Sequence, residues 1–185
     1  MRIARTLVGA TALVLTLSGC SSLQGTGDKG FVTGDGTIRR VAAADRGSPV
    51  SLDGTDLKGK RLSLDSTRGK PVVVQVWGSW CTPCRAEAPM LVTAHRKLGK
   101  TADFVGVDIR DSGSAQPSEF VRHFGVDWPS YFSPDGQALL AFKGTLTPNT
   151  IPAIVVLDAQ GRMAASVVGS LPSSLTLVEL VSDVT

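Results

Sequence analysis

The sequence predicts an α/β domain in which helices cover a mixed β-sheet, and three observations carry that prediction. The run PVVVQVW, residues 71–77, is apolar on both faces, as a strand at the centre of a sheet must be. A helical pattern starts within five residues of its end, and a second apolar strand pattern follows that helix. The chain then closes on two alternating segments around a DAQG turn and a last helix. A strand–helix–strand unit supplies a parallel pair and the hairpin supplies antiparallel strands, so the sheet that joins them is mixed.

In chain order, the first twenty residues stand apart from the rest. Arg2 and Arg5 precede the apolar run TLVGATALVLTL, and the small residues SGC lead into a polar stretch, the anatomy of a secretory signal. Only fourteen residues separate Arg5 from Cys20, whereas a spanning helix needs about 20, which disfavours an uncleaved anchor. Residues 21–45 are rich in Gly, Ser and Thr without a sustained period and read as a flexible tether. Residues 46–185 are left for the folded domain.

Within that domain, SPVSLDGTDLKGKRLSLDSTRGK holds two short apolar alternations separated by Asp-Gly and Lys-Gly turn signals, an N-terminal β-hairpin. After the buried strand, Ala86, Met90, Leu91, Ala94 and Leu98 recur at helical spacing from Thr82 to about Leu98, with Arg85, Arg96 and Lys97 free to face water and Gly99 suited to the cap. DFVGVDI, 103–109, is the second strand. QPSEFVRHFG, 116–125, is a helix with a proline in its first turn and a stop at Gly125. WPSYFSPDG is an extended piece ending in a turn, and QALLAF is a short helix. AIVVLD, 153–158, and RMAASVVG, 162–169, form the hairpin, and PSSLTLVELVSDV closes the chain as a helix with Ser173 or Ser174 as N-cap.

The chain has 185 residues, 42% of them hydrophobic, which suits one domain plus a terminal extension. A domain of roughly 140 residues buries about two-thirds of the surface its unfolded chain exposes, so it folds without a disulfide framework and its cysteines are free for chemistry. Formal charge is +3, and setting aside Arg2 and Arg5 leaves 17 basic against 16 acidic residues. No Lys/Arg run with interleaved aromatics occurs, which excludes an electrostatic footprint for nucleic acid. A monomer is expected.

Chemistry concentrates in VWGSWCTPCRAEAP, residues 76–89. A free cysteine has a pKa of about 8.5, and a nucleophilic one must be partly thiolate at neutral pH. Cys81 falls where the strand turns into the helix, where unpaired N–H groups and the positive end of the dipole favour an anion. Cys84 lies one turn on, on the same face, within reach of Cys81. Pro83 stiffens that turn and lacks only an N–H that would be unpaired. Trp80 is an apolar cover beside Cys81. Two rivals exist for the pair. A zinc site needs four ligands, and only His95 and His123 remain, without a suitable short spacing. A static disulfide over so short a loop stabilises little. The histidines read as surface or packing residues.

WCTPC after a buried strand resembles the thioredoxin superfamily, and LKGKRLSLDSTRGKPVVVQVWGSWCTPCRAEAPML resembles its TlpA/ResA-like branch of membrane-tethered thiol-disulfide proteins. The likeness covers about residues 48–180. It implies a thioredoxin fold with an N-terminal hairpin and with FVRHFGVDWPSYFSPDGQALLAF as the branch's helix–strand insert. Pro89 matches the superfamily's helix-kinking proline. NTIPAIVVLD matches the loop whose cis proline faces the sulfurs, which assigns Ile151 and Pro152. LSGC resembles the lipobox of bacterial lipoproteins, in which the cysteine, here Cys20, is acylated; an ordinary cleaved signal is the alternative. Gln75 stands where cytosolic thioredoxins bury an aspartate, and the branch often carries an acid at the third position after the second cysteine, here Glu87. At i and i+3 on one helix, Glu87 can approach the Cys84 thiol and relay its proton.

The resemblance implies disulfide exchange with Cys81 as nucleophile, Cys84 as resolving residue, Glu87 as proton relay and Pro152 as the cis-proline. It also implies that Trp80, Thr82, Pro83 and Ile151 contact substrate. The redox-active Cys81–Cys84 pair stands in for a cofactor, and no metal is required. The partners it implies are disulfides of exported proteins such as apocytochrome c, a membrane thiol-electron donor, and the membrane itself through a lipid on Cys20. The reductive direction competes with disulfide formation, since Thr-Pro between the cysteines does not fix the potential. A non-redox tethered binding or haem-handling module is a third reading. The Pro-x-x-x-Thr-x-x-Cys arrangement of peroxiredoxins is missing before Cys81.

Overall fold

A computed structural model describes residues 36–185. Its strands are β1 (Gly36–Arg40), β2 (Asp53–Thr55), β3 (Arg61–Ser63), β4 (Val72–Trp77), β5 (Asp103–Ile109), β6 (Ser130–Ser133), β7 (Ala153–Leu157) and β8 (Met163–Gly169). Its α-helices are α1 (Thr82–Leu98), α2 (Ala115–Phe124) and α3 (Ser174–Ser182). β2 and β3 form the expected hairpin, and the other six strands form one mixed sheet in the order β1-β8-β7-β4-β5-β6.

β4 is buried along its whole length because it lies between β5, parallel, and β7, antiparallel, with both faces covered. Its alternation divides the core in two. Val73 and Trp77 face a cluster with Leu91 of α1, Phe104 of β5, Phe120 of α2 and Leu177 of α3. Val74 and Val76 face Leu64, Val107, Leu139 and Phe142. Both parallel steps, β4 to β5 and β5 to β6, run the same way along the sheet. Right-handed crossovers therefore place α1 and α2 on the same face. Among the described residues the opposite face carries no α-helix; the β2–β3 side of the domain and two 3₁₀ turns, Leu64–Thr67 and Gln137–Phe142, cover it. QALLAF is thus a 3₁₀ segment.

Gly106 of β5 is required by packing beneath the future site. A Cβ there would collide with Ser130 Oγ and stand 2.6 Å from Trp77 Nε1. The Trp77 ring lies 4.4 Å, centroid to centroid, from Phe120, which ties β4 to α2.

One expected boundary is corrected. β1 falls inside the segment 21–45 expected to be a tether, yet it pairs antiparallel with β8 from Gly36↔Gly169 to Arg40↔Ala165. Its single apolar side chain, Ile38, is fully buried in the α1-side core. The domain therefore begins by residue 36. As an edge strand it keeps charge, Arg39 and Arg40, on its exposed positions. The signal at 1–20, Cys20 and residues 21–35 lie outside the described residues.

If residues 36–40 belong to the domain, Ile38→Ala lowers unfolding free energy by about 2–4 kcal/mol in urea titration, whereas a residue in a tether would give no change.

Candidate functional site

The site is built where β4 stops and α1 starts. Cys81 is the N-cap of α1, in extended backbone conformation, and its sulfur accepts the Cys84 N–H at 3.2 Å. The Cys81 carbonyl accepts from Arg85 N–H at 3.0 Å, and the Cys81 N–H donates to Gly78 O at 3.1 Å. One orphan donor of the first helical turn is thus satisfied by sulfur. Cys81 and Cys84 are joined by a disulfide with Cα atoms 5.2 Å apart. Cys84 is wholly buried and Cys81 is 3% exposed, whereas Thr82 and Pro83 form the exposed outer side of the turn.

Sheet register brings the proline loop to the same place. Val76 of β4 pairs with Ala153 of β7, so the residues that continue this register, Trp77 and Pro152, stand opposite each other at the end of β4 from which Gly78 leads to Cys81. The Ile151–Pro152 bond is cis. Pro152 is buried and its carbonyl accepts from Gly169 N–H at 3.0 Å. No hydrogen bond among the described residues uses the backbone groups of the half-buried Ile151. Trp80 is 48% exposed, its Nε1–H donating to Ile109 O at 3.3 Å. A Cβ on Gly78 would stand 2.7 Å from Trp80 Nε1, so the glycine permits that ring position. Trp80 is therefore a half-open platform at the site's rim as well as a neighbour of the sulfur.

Behind the cysteines lie polar groups without charged partners. Glu87 is 1% exposed; Oε2 accepts the Leu171 N–H at 3.1 Å and Oε1 has no partner. Burial pushes its carboxyl up to about 7, against the opposing pull of the Leu171 hydrogen bond. The hydrogen bond that fixes Glu87 therefore ties α1 to the segment before α3. Gln75, on the α1 face of β4 by alternation from Val73 and Trp77, is buried with Nε2 unpartnered.

Sequence reasoning missed Ser79, Asp108 and Asp111. Asp111 accepts both Ser79 donors, the N–H at 2.8 Å on Oδ2 and the hydroxyl at 2.5 Å on Oδ1. Asp108 is fully buried and neither of its oxygens has a partner. The available signal was an aspartate inside an apolar strand, repeated three residues later. His95 packs its ring on Phe104 and Trp128, with Nδ1 3.0 Å from Asp127, and His123 stacks edge-on against Phe124. Both serve packing. Pro89 sits inside α1, which continues through it to Leu98. Among the described residues no group of three or more His, Cys, Asp or Glu side chains is arranged to hold a metal ion.

A family model described as Redoxin matches residues 42–180. The thiol-disulfide oxidoreductase ResA of Bacillus subtilis is 28% identical over 121 residues, 65% of this chain. The chain spans 65% of the length of that relative. Two solved structures share the fold. A DsbF homologue from Corynebacterium diphtheriae matches with TM-score 0.75 and 28% identity, over 82% of this chain and 96% of that one. A secreted thiol-disulfide isomerase from Corynebacterium glutamicum matches with TM-score 0.75 and 26% identity, over 80% and 90% respectively. The mixed sheet and its helices are thus those of thioredoxin-like proteins, as the WCTPC resemblance implied.

Glu87 generates a pH prediction. Its folded-state pKa, about 7, lies above the ordinary carboxyl value of 4.5, so the folded protein holds a proton that the unfolded chain releases. Its contribution is complete below about pH 4.5 and is lost as pH rises through about 7. Across that window wild type loses at most about 3 kcal/mol relative to Glu87→Gln. Paired urea titrations at the two ends of the window measure the difference; a constant gap contradicts the raised pKa.

Proposed function

The chain belongs to the Redoxin family, and we propose that it is an extracytoplasmic thiol-disulfide oxidoreductase that reduces disulfides of exported proteins through Cys81 and Cys84. One observation carries the reading: the Cys81 sulfur caps α1, accepting the Cys84 N–H, and is bonded to the buried Cys84 sulfur. A helix N-terminus favours the Cys81 thiolate, and the paired sulfur one turn below can displace whatever Cys81 binds.

In the reaction, the Cys81 thiolate attacks one sulfur of a substrate disulfide. A Cys81–substrate bond forms as the substrate S–S bond breaks, and the leaving sulfur takes a proton. Cys84, deprotonated in its turn, attacks Cys81 Sγ, forming the Cys81–Cys84 disulfide and releasing the second substrate thiol. Two electrons pass to the substrate and the protein is left oxidised. A membrane dithiol donor then restores the reduced pair. No further cofactor enters. Glu87 is the buried acid closest in sequence to Cys84 on α1 and serves as its proton relay. Trp80, Thr82, Pro83 and the free backbone edge at Ile151, ahead of Pro152, form the face against which an extended substrate segment lies.

The N-terminal signal pattern and the secreted relative support a location outside the cytoplasm, and Cys20 in LSGC supports attachment through a lipid. No helix among the described residues is long and apolar enough to cross a membrane. A Cys-x-x-Cys disulfide of an apocytochrome c is the kind of substrate this reading favours, and a monomer suffices for the cycle.

Insulin reduction and trapping test the proposal together. Cys81→Ser abolishes turnover, and Cys84→Ser accumulates a mixed disulfide on Cys81 that dithiothreitol releases. Equal activity of both variants with wild type contradicts a redox role. A Cys81/Cys84 reduction potential in the strongly oxidising range, near the roughly −120 mV typical of disulfide-introducing proteins, contradicts the reductive direction.

A further inference from the structure

The turn ahead of the cis-proline is hydrogen-bonded to the rest of the domain through one side chain. Residues 147–150 close on themselves: Thr150 N–H donates to Thr147 O at 2.9 Å, Thr147 N–H donates to Thr150 Oγ1 at 2.9 Å, and Asn149 N–H donates to Thr147 Oγ1 at 3.3 Å. Thr147, Pro148 and Asn149 are exposed. Among the described residues, the hydrogen bonds that join this turn to other segments all come from Arg110, whose Nη2 donates to Asn149 Oδ1 and, at 3.5 Å, to Pro148 O. A cationic donor makes such bonds stronger than neutral ones.

Arg110 is set in place by its neighbours. β5 ends at Ile109, and Arg110 then takes a left-handed conformation, φ 62°, which a non-glycine residue adopts only when its surroundings require it. Its N–H donates to Pro134 O, just after β6, at 3.2 Å. The residues on either side hold the redox turn: the Ile109 carbonyl accepts Trp80 Nε1–H at 3.3 Å, and the Asp111 carboxyl accepts the Ser79 N–H and hydroxyl. Three successive residues thus bind three pieces of the site, and Arg110 is the one that reaches the proline loop.

We propose that Arg110 is a positioning residue for disulfide exchange: it clamps the 147–150 turn so that the unpaired backbone edge at Ile151 is already in place when an extended substrate segment arrives. The partner this favours is a disulfide within a polypeptide that can lie along the edge as an added strand, over a small disulfide that has no backbone to pair. A turn released from its clamp must be ordered by each arriving substrate, and that cost falls on binding and not on the sulfur chemistry. The positioning role rests on the exchange reading of Cys81 and Cys84, whereas the clamp stands without it.

Steady-state reduction of insulin and of hydroxyethyl disulfide, a neutral disulfide without peptide bonds, tests the role in two variants. Arg110→Gly removes the guanidinium and keeps the left-handed backbone; Asn149→Ala removes the acceptor. In both, KM for insulin rises about fivefold, the scale of one exposed hydrogen bond, while kcat and both constants for the small disulfide stay at wild type. Asn149→Asp, which keeps an acceptor oxygen, keeps the wild-type KM. Arg110→Gly combined with Asn149→Ala raises KM no further than either alone, because both remove the same contact. Amide hydrogen exchange reads the clamp without any substrate: the Thr150 N–H exchanges about fivefold faster in both variants. Wild-type exchange at Thr150 in either variant overturns the clamp. Faster exchange with a wild-type KM for insulin overturns the positioning role, and so does a kcat that falls alike for the two disulfides, which places the action of Arg110 at the cysteine turn. A wild-type protein that reduces neither disulfide overturns the exchange reading and the positioning role with it, while Thr150 exchange still decides the clamp.

Discussion

The contact between the Cys81 sulfur and the Cys84 N–H at the first turn of α1 is the constraint around which this domain is arranged. It requires a helix to begin at the end of a buried strand, which β4 supplies through a turn of four residues, Gly78 to Cys81. A central strand paired on both sides cannot shift its register without exposing one half of the core. The sulfur therefore inherits the rigidity of the sheet, and Pro152, at the start of the neighbouring β7, inherits the same frame.

Around that contact two electrostatic influences oppose each other. The helix N-terminus favours negative charge on Cys81. Glu87 in its ionised form, buried on the same helix with no cation in ion-pair distance among the described residues, disfavours a further negative charge there. Groups that destabilise the thiolate weaken the reduced form relative to the disulfide, and this favours giving electrons away. Ionised Glu87 thus acts in the direction that the proposed reduction needs, independent of the Thr-Pro pair between the cysteines. Asp158 shows the contrast: it is equally buried, but Arg46 and Arg162 bond it, and its carboxyl is held below the ordinary value despite its burial.

Much of this was legible because it is local. β4, α1 and β5 follow from periodicity, and the Cys81–Cys84 spacing needs no tertiary information. β1 was not legible: GTIRR has one apolar side chain, and its strand character comes from pairing with β8, well over a hundred residues away. The same holds for the acids. That Glu87 is on α1 can be read from the sequence, but the orientation of its carboxylate depends on Leu171, 84 residues on. Asp111 is separated from Ser79 by 32 residues, and nothing short of the fold brings the two together. Helices covering the sheet were legible, but which face they cover was not: among the described residues hairpin and 3₁₀ segments cover the other face with side chains such as Leu64 and Phe142 that are as apolar as a helix would present.

The central claim is that the two sulfurs differ: Cys81 is the attacking atom at the helix mouth, and Cys84 waits in the core. Limited alkylation of the fully reduced protein, with peptide mass mapping of the label, tests it most directly. The account predicts that the first equivalent of iodoacetamide at neutral pH goes to Cys81, with Cys84 modified only after unfolding. Equal labelling of both cysteines, or labelling of neither, would contradict it.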